Sequence, residues 1–346
     1  MKILITGANG FIGRNLCATL KEKGHFVRGA VRNNARDVFG ADEYIQVGDI
    51  NESTDWQQAL AGVDAVVHLA ARVHIMDSRF RGNDKLHVFC KVNVLGTERL
   101  ARMAVKAGVK RFIFISSVKV NGEGQRDCFV GLRHRDDGCG FAMTEKTYTE
   151  KDVPAPQDAY AVSKLEAESI LKKIADETGL QVVVLRLPLV YGPGVKANFK
   201  SLIKFAGSGL PLPFKGVNNR RSFLYLGNLV DAISTCITHP LAAGETFLVS
   251  DGQDVSTPDL IKMIACSMEK RAFLFSLHPS ILKALCKIAG KSEELEKLTG
   301  SLLVDSSKIR NLLGWNPPFT LEEGIKEMIR GIEIASPATE SMAGSQ

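Results

Sequence analysis

The chain has 346 residues, of which 45% are hydrophobic and 24% charged, with a formal net charge of +6. This is long enough for a large core and two lobes, and ordinary for a water-soluble globular protein. The cations are spread along the chain, which argues against a nucleic-acid partner, and no apolar run approaches the ~18 residues of a membrane span.

Lys2-Ile3-Leu4-Ile5-Thr6 is an apolar run suited to a buried parallel strand. Gly7-Ala8-Asn9-Gly10-Phe11-Ile12-Gly13 follows, and a helical pattern covers 11–23. Glycines at every third position let the backbone turn tightly and approach a pyrophosphate resting on the N-terminus of the next helix. The spacing is Gly-x-x-Gly-x-x-Gly rather than Gly-x-Gly-x-x-Gly, but its place between strand and helix marks a cofactor loop. Strand-like runs recur at 25–31, 44–48, 64–69, 111–116 and 181–187, with helical patterns at 55–61, 91–107 and 160–177. The alternation predicts an α/β fold with a doubly wound parallel sheet. Ligands of such sheets sit beyond the carboxyl ends of the strands. The glycine loop, His68–Ala71 and Ser116–Ser117 all fall there, so three segments converge on one crevice.

Beyond residue 187 the pattern loosens. Gly192, Pro193, Gly194, Pro211 and Pro213 punctuate short segments, and helical stretches return at 257–269, 279–289 and 293–303. Residues 335–346 are small and polar, and a disordered tail is expected. Segments 77–85 and 124–143 are charged and glycine-bearing; they read as surface insertions, with a lid or partner surface as the alternative. No basic-then-apolar leader opens the sequence. Seven scattered cysteines, an odd number without a Cys-x-x-Cys, predict reduced thiols, no metal site and a cytoplasmic location.

Tyr160 and Lys164 lie four residues apart at the start of a helical pattern, hence on one face. A free tyrosine, with a pKa of about 10, is a poor base; a neighbouring ammonium favours the phenolate. The expectation is a tyrosine base with a lowered pKa. At the end of the second strand, Arg28-Gly29-Ala30-Val31-Arg32 places Val31 where NAD-binding sheets carry an acid for the ribose. Arg32 suits a 2′-phosphate instead, or is a solvated strand-end charge.

Together, Thr6-Gly7-Ala8-Asn9-Gly10-Phe11-Ile12-Gly13, His68-Leu69-Ala70-Ala71, Asn93, Ser116-Ser117, Tyr160/Lys164 and Leu189-Val190-Tyr191-Gly192-Pro193-Gly194 resemble one family in order and spacing. It is the extended short-chain dehydrogenase/reductase family, in its NAD-dependent epimerase/dehydratase branch. The resemblance covers residues 1–330. Stretches 117–122, 194–199 and 219–222 are most similar to a bacterial surface-polysaccharide subgroup of 4-epimerases and 4-keto reductases acting on UDP-sugars.

The resemblance implies a Rossmann domain from 1–187 with 221–252, and a substrate lobe from 188–220 with 253–334. It implies Ser117, Tyr160 and Lys164 as the catalytic set. Ser117 is preferred to Ser116 because it sits four residues before Asn121, which stands where the family carries a tyrosine. NADP or NAD would contact Gly7, Asn9, Gly10, Phe11, Ile12 and Gly13 in the loop. Around it would lie Arg32, Asp49 and Ile50, then Leu69, Ala70, Ala71 and Asn93, with Tyr160, Lys164 and Pro188. The UDP-sugar would meet Ser117, Lys196, Asn198 and Arg221. Leu189 replaces the family's sugar-nucleotide asparagine, so head-group contacts can differ. Val118 and Lys119 replace the Asp-Glu of the dehydratases, which disfavours water elimination. His68 and His74 read as structural.

The expected activity is a 4-keto reductase of a UDP-hexose. The alternatives are a UDP-sugar 4-epimerase, a reductase of a non-sugar carbonyl, and a non-catalytic dinucleotide-binding redox sensor; a homodimer is left open.

Overall fold

A computed structural model of the protein describes residues 1–33, 40–73, 83–123, 146–195, 198–277, 281, 295 and 298–335. β1 (Lys2–Thr6) leads through the glycine loop into α1 (Phe11–Glu22), β2 (Phe26–Val31) and β3 (Glu43–Gln46). After α2 (Gln57–Leu60) and β4 (Ala65–His68), α3 (Asn83–Cys90) continues through a π-helical turn (Lys91–Leu95) into α4 (Gly96–Lys106) and then β5 (Arg111–Ser117). β6 (Thr147–Tyr148), α5 (Ala159–Thr178), β7 (Gln181–Leu187), β8 (Leu189–Tyr191) and α6 (Asn198–Gly207) follow. The chain goes on through β9 (Arg221–Tyr225), α7 (Leu226–Thr238), β10 (Thr246–Leu248), β11 (Asp254–Val255) and α8 (Thr257–Ser267). It ends in β12 (Leu303–Val304), α9 (Ser307–Leu313) and α10 (Leu321–Ala335).

Seven strands form one parallel sheet in the order β10-β7-β5-β4-β1-β2-β3. Its central strands are apolar throughout because both faces are covered. On one face Leu16 and Leu20 of α1 and Ile233 of α7 pack with Ile3, Ile5 and Val67. On the other, Leu100 of α4 and Leu171 of α5 pack with Leu4, Val66 and Phe112. The chain runs outward from β1 through β2 and β3, then crosses back to β4. The crevice between β1 and β4 is therefore the switch point where such sheets bind ligands.

A second core gathers Tyr191, Phe199, Phe223 and Tyr225 with α8 and α10 beside a three-stranded sheet, β11-β9-β8. The crossing back to the large sheet, expected from residue 221, is made by α7 and β10, because β9 pairs within this small sheet. A two-stranded pair joins β12 to β6. Expected segment 77–85 ends in structure, since α3 starts at Asn83. Segment 124–143, the tail and His74 lie outside the described residues.

α5 is bounded by its own chemistry. The Asp158 carboxylate accepts from Ala161 N–H at 2.7 Å, and Gly179 ends the helix at φ +76°, a left-handed conformation that suits glycine. Halfway along, Glu168 is buried against Arg186 of β7, 2.6 Å between Oε2 and Nη2. Arg186 also donates to Asn121 Oδ1 at 3.0 Å, and Ser116 Oγ donates to Glu168. Glu168→Ala would leave a buried guanidinium without its counter-charge, which should cost about 3–5 kcal/mol. Urea unfolding of the variant measures it; a loss of less than about 1 kcal/mol, as for a solvated pair, would show that water satisfies Arg186.

Candidate active site

The site is built on the carboxyl ends of β1, β4 and β5 and the first turn of α5. Gly7 adopts φ +69°, and a Cβ there would lie 3.2 Å from Ala70 N, so the loops after β1 and β4 touch. Gly10 N–H donates to Gly7 O at 2.9 Å, closing the turn into α1. Gly10 caps that helix without a side-chain hydrogen bond. The first-turn N–H groups of Phe11, Ile12 and Gly13 thus point out of the helix end with its positive dipole. A Cβ on Gly13 would lie 2.2 Å from Gly7 O, so only glycine admits this packing. A loop without side chains at 7, 10 and 13, above free amide donors, fits the pyrophosphate of a dinucleotide. Arg14, which the motif did not flag, braces the loop by donating from Nε to Asn9 O at 3.0 Å.

Behind the loop runs a chain of buried hydrogen bonds. Ala70 N–H donates to Thr6 Oγ1 (3.1 Å), which lies 2.7 Å from His68 Nδ1; His68 Nε2 lies 3.0 Å from Thr97 Oγ1. Thr97 Oγ1 in turn donates to Asn93 O at 2.7 Å. One arrangement satisfies every link: a neutral imidazole with its proton on Nε2, accepting at Nδ1 from Thr6. Burial, with Lys164 adding to it, pushes the His68 pKa from 6.5 down to about 3, so the ring stays neutral. His68 is structural, as the sequence suggests.

Asn93 sits in the π-helical turn, a geometry concentrated at functional sites. Its Oδ1 accepts from Arg72 N–H (2.8 Å), and its Nδ2 donates to Arg72 O (3.0 Å) and Ser163 Oγ (3.0 Å). At 1% exposure its amide is consumed by protein. Asn93 thereby ties the 70–72 backbone to α5.

Tyr160 and Lys164 occupy the first turns of α5. Lys164 is buried, its Nζ donating to Ile115 O at 2.8 Å and lying 4.5 Å from the Phe114 ring centroid. Burial pushes its pKa down to about 7, against the opposing charge of Glu168. Tyr160 packs edge-on against Phe89, 6.0 Å between centroids, and among the described residues its hydroxyl has no hydrogen-bond partner. Burial first, and then the Asp158 charge, raise its pKa to about 12. The expected lowering of the phenol pKa is thus reversed in the protein alone. Desolvation disfavours both charges, and the amine is turned to a backbone carbonyl.

Ser117 ends β5 half-buried, its Oγ accepting from Lys119 N–H at 3.3 Å. Ser116, on the opposite face of the strand, is committed to Glu168.

Residues 3–250 match the NAD dependent epimerase/dehydratase family. The chain belongs to that family. It is 43% identical to the UDP-glucose 4-epimerase of Vibrio cholerae over 328 residues, covering 94% of this chain and 93% of that protein. It is similar in fold to the UDP-glucuronic acid 4-epimerase of Bacillus cereus in complex with NAD, at 24% identity and a TM-score of 0.73, covering 97% and 99% of the two chains. It is also similar to MoeE5 in complex with UDP-glucuronic acid and NAD, at 25% identity and a TM-score of 0.72, covering 97% and 100%.

The remaining expected residues of this epimerase/dehydratase-family chain fall around the same crevice or outside it. Leu69, Ala70 and Ala71 line the loop after β4, half-buried. Ile50 packs on Gly96, where a Cβ would lie 2.5 Å from its Cγ2. Pro188 is buried between β7 and β8. Arg32 is paired with Asp49 at 3.0 Å, and both side chains are mostly exposed. Arg221 donates to Gly300 O at 3.2 Å, and burial lowers its pKa. Arg220 points out to Asp254, as strand alternation expects. Lys196 lies outside the described residues; Asn198 opens α6. Asn121, given no role by the motif, bridges Arg186 to Thr149 O.

Gly13→Ala should weaken NAD binding by about tenfold or more, the loss of one good contact, measured by titration calorimetry. Unchanged affinity would show that the loop does not carry the dinucleotide. His68 has a folded pKa far below its ordinary 6.5. Its contribution to stability is full above about 6.5 and is lost toward pH 3, at about 1.4 kcal/mol per unit. In urea unfolding between pH 7 and 4, His68→Gln should lose that part of the acid dependence; an unaltered slope would place a charged imidazole in the fold.

Proposed function

We propose that the protein is an NAD-dependent 4-epimerase of a UDP-hexose. What carries this reading is Ser117 at the carboxyl end of β5 and Tyr160 and Lys164 in the first turns of α5, in the sheet whose β1 leads into the glycine loop, supported by 43% identity to a UDP-glucose 4-epimerase over nearly the whole chain. A binding module would not need that set of three side chains.

Tyr160 would move the proton of the C4 hydroxyl, and Ser117 would hold the same oxygen by a hydrogen bond. Lys164 would hold the nicotinamide ribose and favour the phenolate. The loop 7–13 and the start of α1 would hold the pyrophosphate, with Asp49 and Ile50 toward the adenosine. NAD supplies a hydride acceptor and donor and, when oxidised, a positive charge. Any cation brought to this buried phenol acts against the burial and the Asp158 charge that keep it neutral. Arg221 and Asn198 are the proposed contacts of the UDP portion.

The case for a phosphorylated cofactor, and with it for a reductase, combines Val31 in place of an acid with Arg32 as a partner for a 2′-phosphate. Asp49 already balances that charge at 3.0 Å. A second reading, net reduction of a UDP-4-keto-hexose, is favoured by one observation: Val31, 2% exposed, stands where an acid would grip the NAD ribose.

Tyr160→Phe should lower turnover by roughly 10²–10⁴ while dinucleotide affinity is kept, since general acid–base catalysis is worth that much. Lys164→Ala should reduce both. Near-normal turnover in Tyr160→Phe would remove Tyr160 from the chemistry. The parent protein, incubated with UDP-glucose and NAD, should form its C4 epimer without net change in nicotinamide absorbance. Stoichiometric loss of NADPH with a UDP-4-keto-hexose, and no epimer, would establish the second reading instead.

A further inference from the structure

Lys119, Glu123 and Asp158 form a charge cluster that the reaction described above does not use. Lys119 Nζ lies 2.5 Å from Glu123 Oε1 and 2.6 Å from Asp158 Oδ2. The other oxygen of Asp158, two residues before Tyr160, caps α5 on Ala161 N–H. The Lys119 backbone N–H donates to Ser117 Oγ at 3.3 Å. One residue therefore touches both elements that carry the reacting groups: its amide meets the strand-end hydroxyl, and its ammonium meets the cap of the catalytic helix. Against the cost of burial, the bonds from Asp158 and Glu123 keep the Lys119 ammonium above its usual range, so it is charged through neutral pH.

We propose that Lys119 is a positioning residue for proton transfer at Tyr160, screening the Asp158 carboxylate and locking Ser117 to the first turn of α5. The inference rests on Tyr160 as the proton carrier. After burial, the Asp158 charge is what opposes ionisation of that phenol. An ammonium 2.6 Å from the same carboxylate acts in the opposite sense. Among the described residues, α5 also carries Lys164 and Glu166, and α3, which packs on Tyr160 through Phe89, carries Asp84, Lys85, His87 and Cys90. Burial and Glu166 raise Cys90 to about 11, which keeps its titration away from neutral pH. The observable is the acid-side limb of the rate profile.

The test is the pH dependence of kcat/KM and kcat for the NAD-loaded parent and three variants, each checked for an unchanged thermal midpoint. Lys119→Met removes the cation paired with Asp158 and should move the acid limb up by roughly 0.5–1 pH unit. Asp158→Asn keeps a capping side chain but removes the anion, so it should move the limb down. Lys119→Arg should return it to the parental position. Opposite signs for the first two variants mark an electrostatic role; a merely structural one would lower activity with the limb in place. Limbs that stay put, or move the same way, overturn the proposal. If Lys119→Met does not fold, Asp158→Asn decides alone, and a limb that is unmoved or raised overturns it. Tyr160→Phe separates the two failures. If it retains turnover, the reading of Tyr160 is wrong; if it abolishes turnover while the Lys119 variants leave the limb unmoved, only the present inference falls.

Discussion

The site depends on the neutral imidazole of His68. It joins Thr6 at the end of β1 to Thr97 on α4, and through Thr97 to the π-helical turn that carries Asn93. Asn93 extends the connection to the loop after β4 and to α5. Each such bond is worth only about 1 kcal/mol net, but an unpaired buried partner costs up to about 3. A chain whose donors and acceptors all point one way is therefore held as a unit. The glycine loop and the Tyr160 helix lie far apart in sequence, and this chain makes their separation fixed.

Two arginines show how burial decides the weight of an ion pair. Arg186 and Glu168 have side chains 8% and 9% exposed, bound by several hydrogen bonds to one another. Arg32 and Asp49 form a comparably short contact with side chains 66% and 77% exposed. The first pair cannot lose a partner cheaply, so it sets the position of β5, β7 and α5. The second is worth roughly 0–1 kcal/mol and shapes only local charge. Ser116 is drawn into the buried pair, whereas Ser117, on the other face of β5, is not.

The strands of the large sheet were readable because their apolar runs are long and both faces are covered. β10 was not, since Thr246–Leu248 is too short to show a pattern and is defined by pairing with β7. The π-helical turn and the start of α3 were also hidden, because neither alters hydrophobic spacing enough to be read. Motif order singles out Ser117, Tyr160, Lys164 and Asn93, but it does not foresee that burial raises the Tyr160 pKa or that the Asn93 amide is bonded to Arg72 and Ser163. Spacing reports which side chains share a face; it does not report how deeply they are desolvated or which carbonyl they find. Nor could it show that Arg32 meets Asp49, a contact between two exposed loop ends.

The pairing of β6 with β12 carries a consequence for how the chain is made. Thr147 aligns with Leu303 and Tyr148 with Val304, and Val304 N–H also reaches Ser222 Oγ at 2.9 Å. The segment before the Tyr160 helix is thus fastened by residues 303–304, far along the chain. Contacts so distant in sequence must wait for the loop between them to close. On the ribosome the large sheet can assemble around strands already synthesised, while β6 stays unpaired until β12 has emerged.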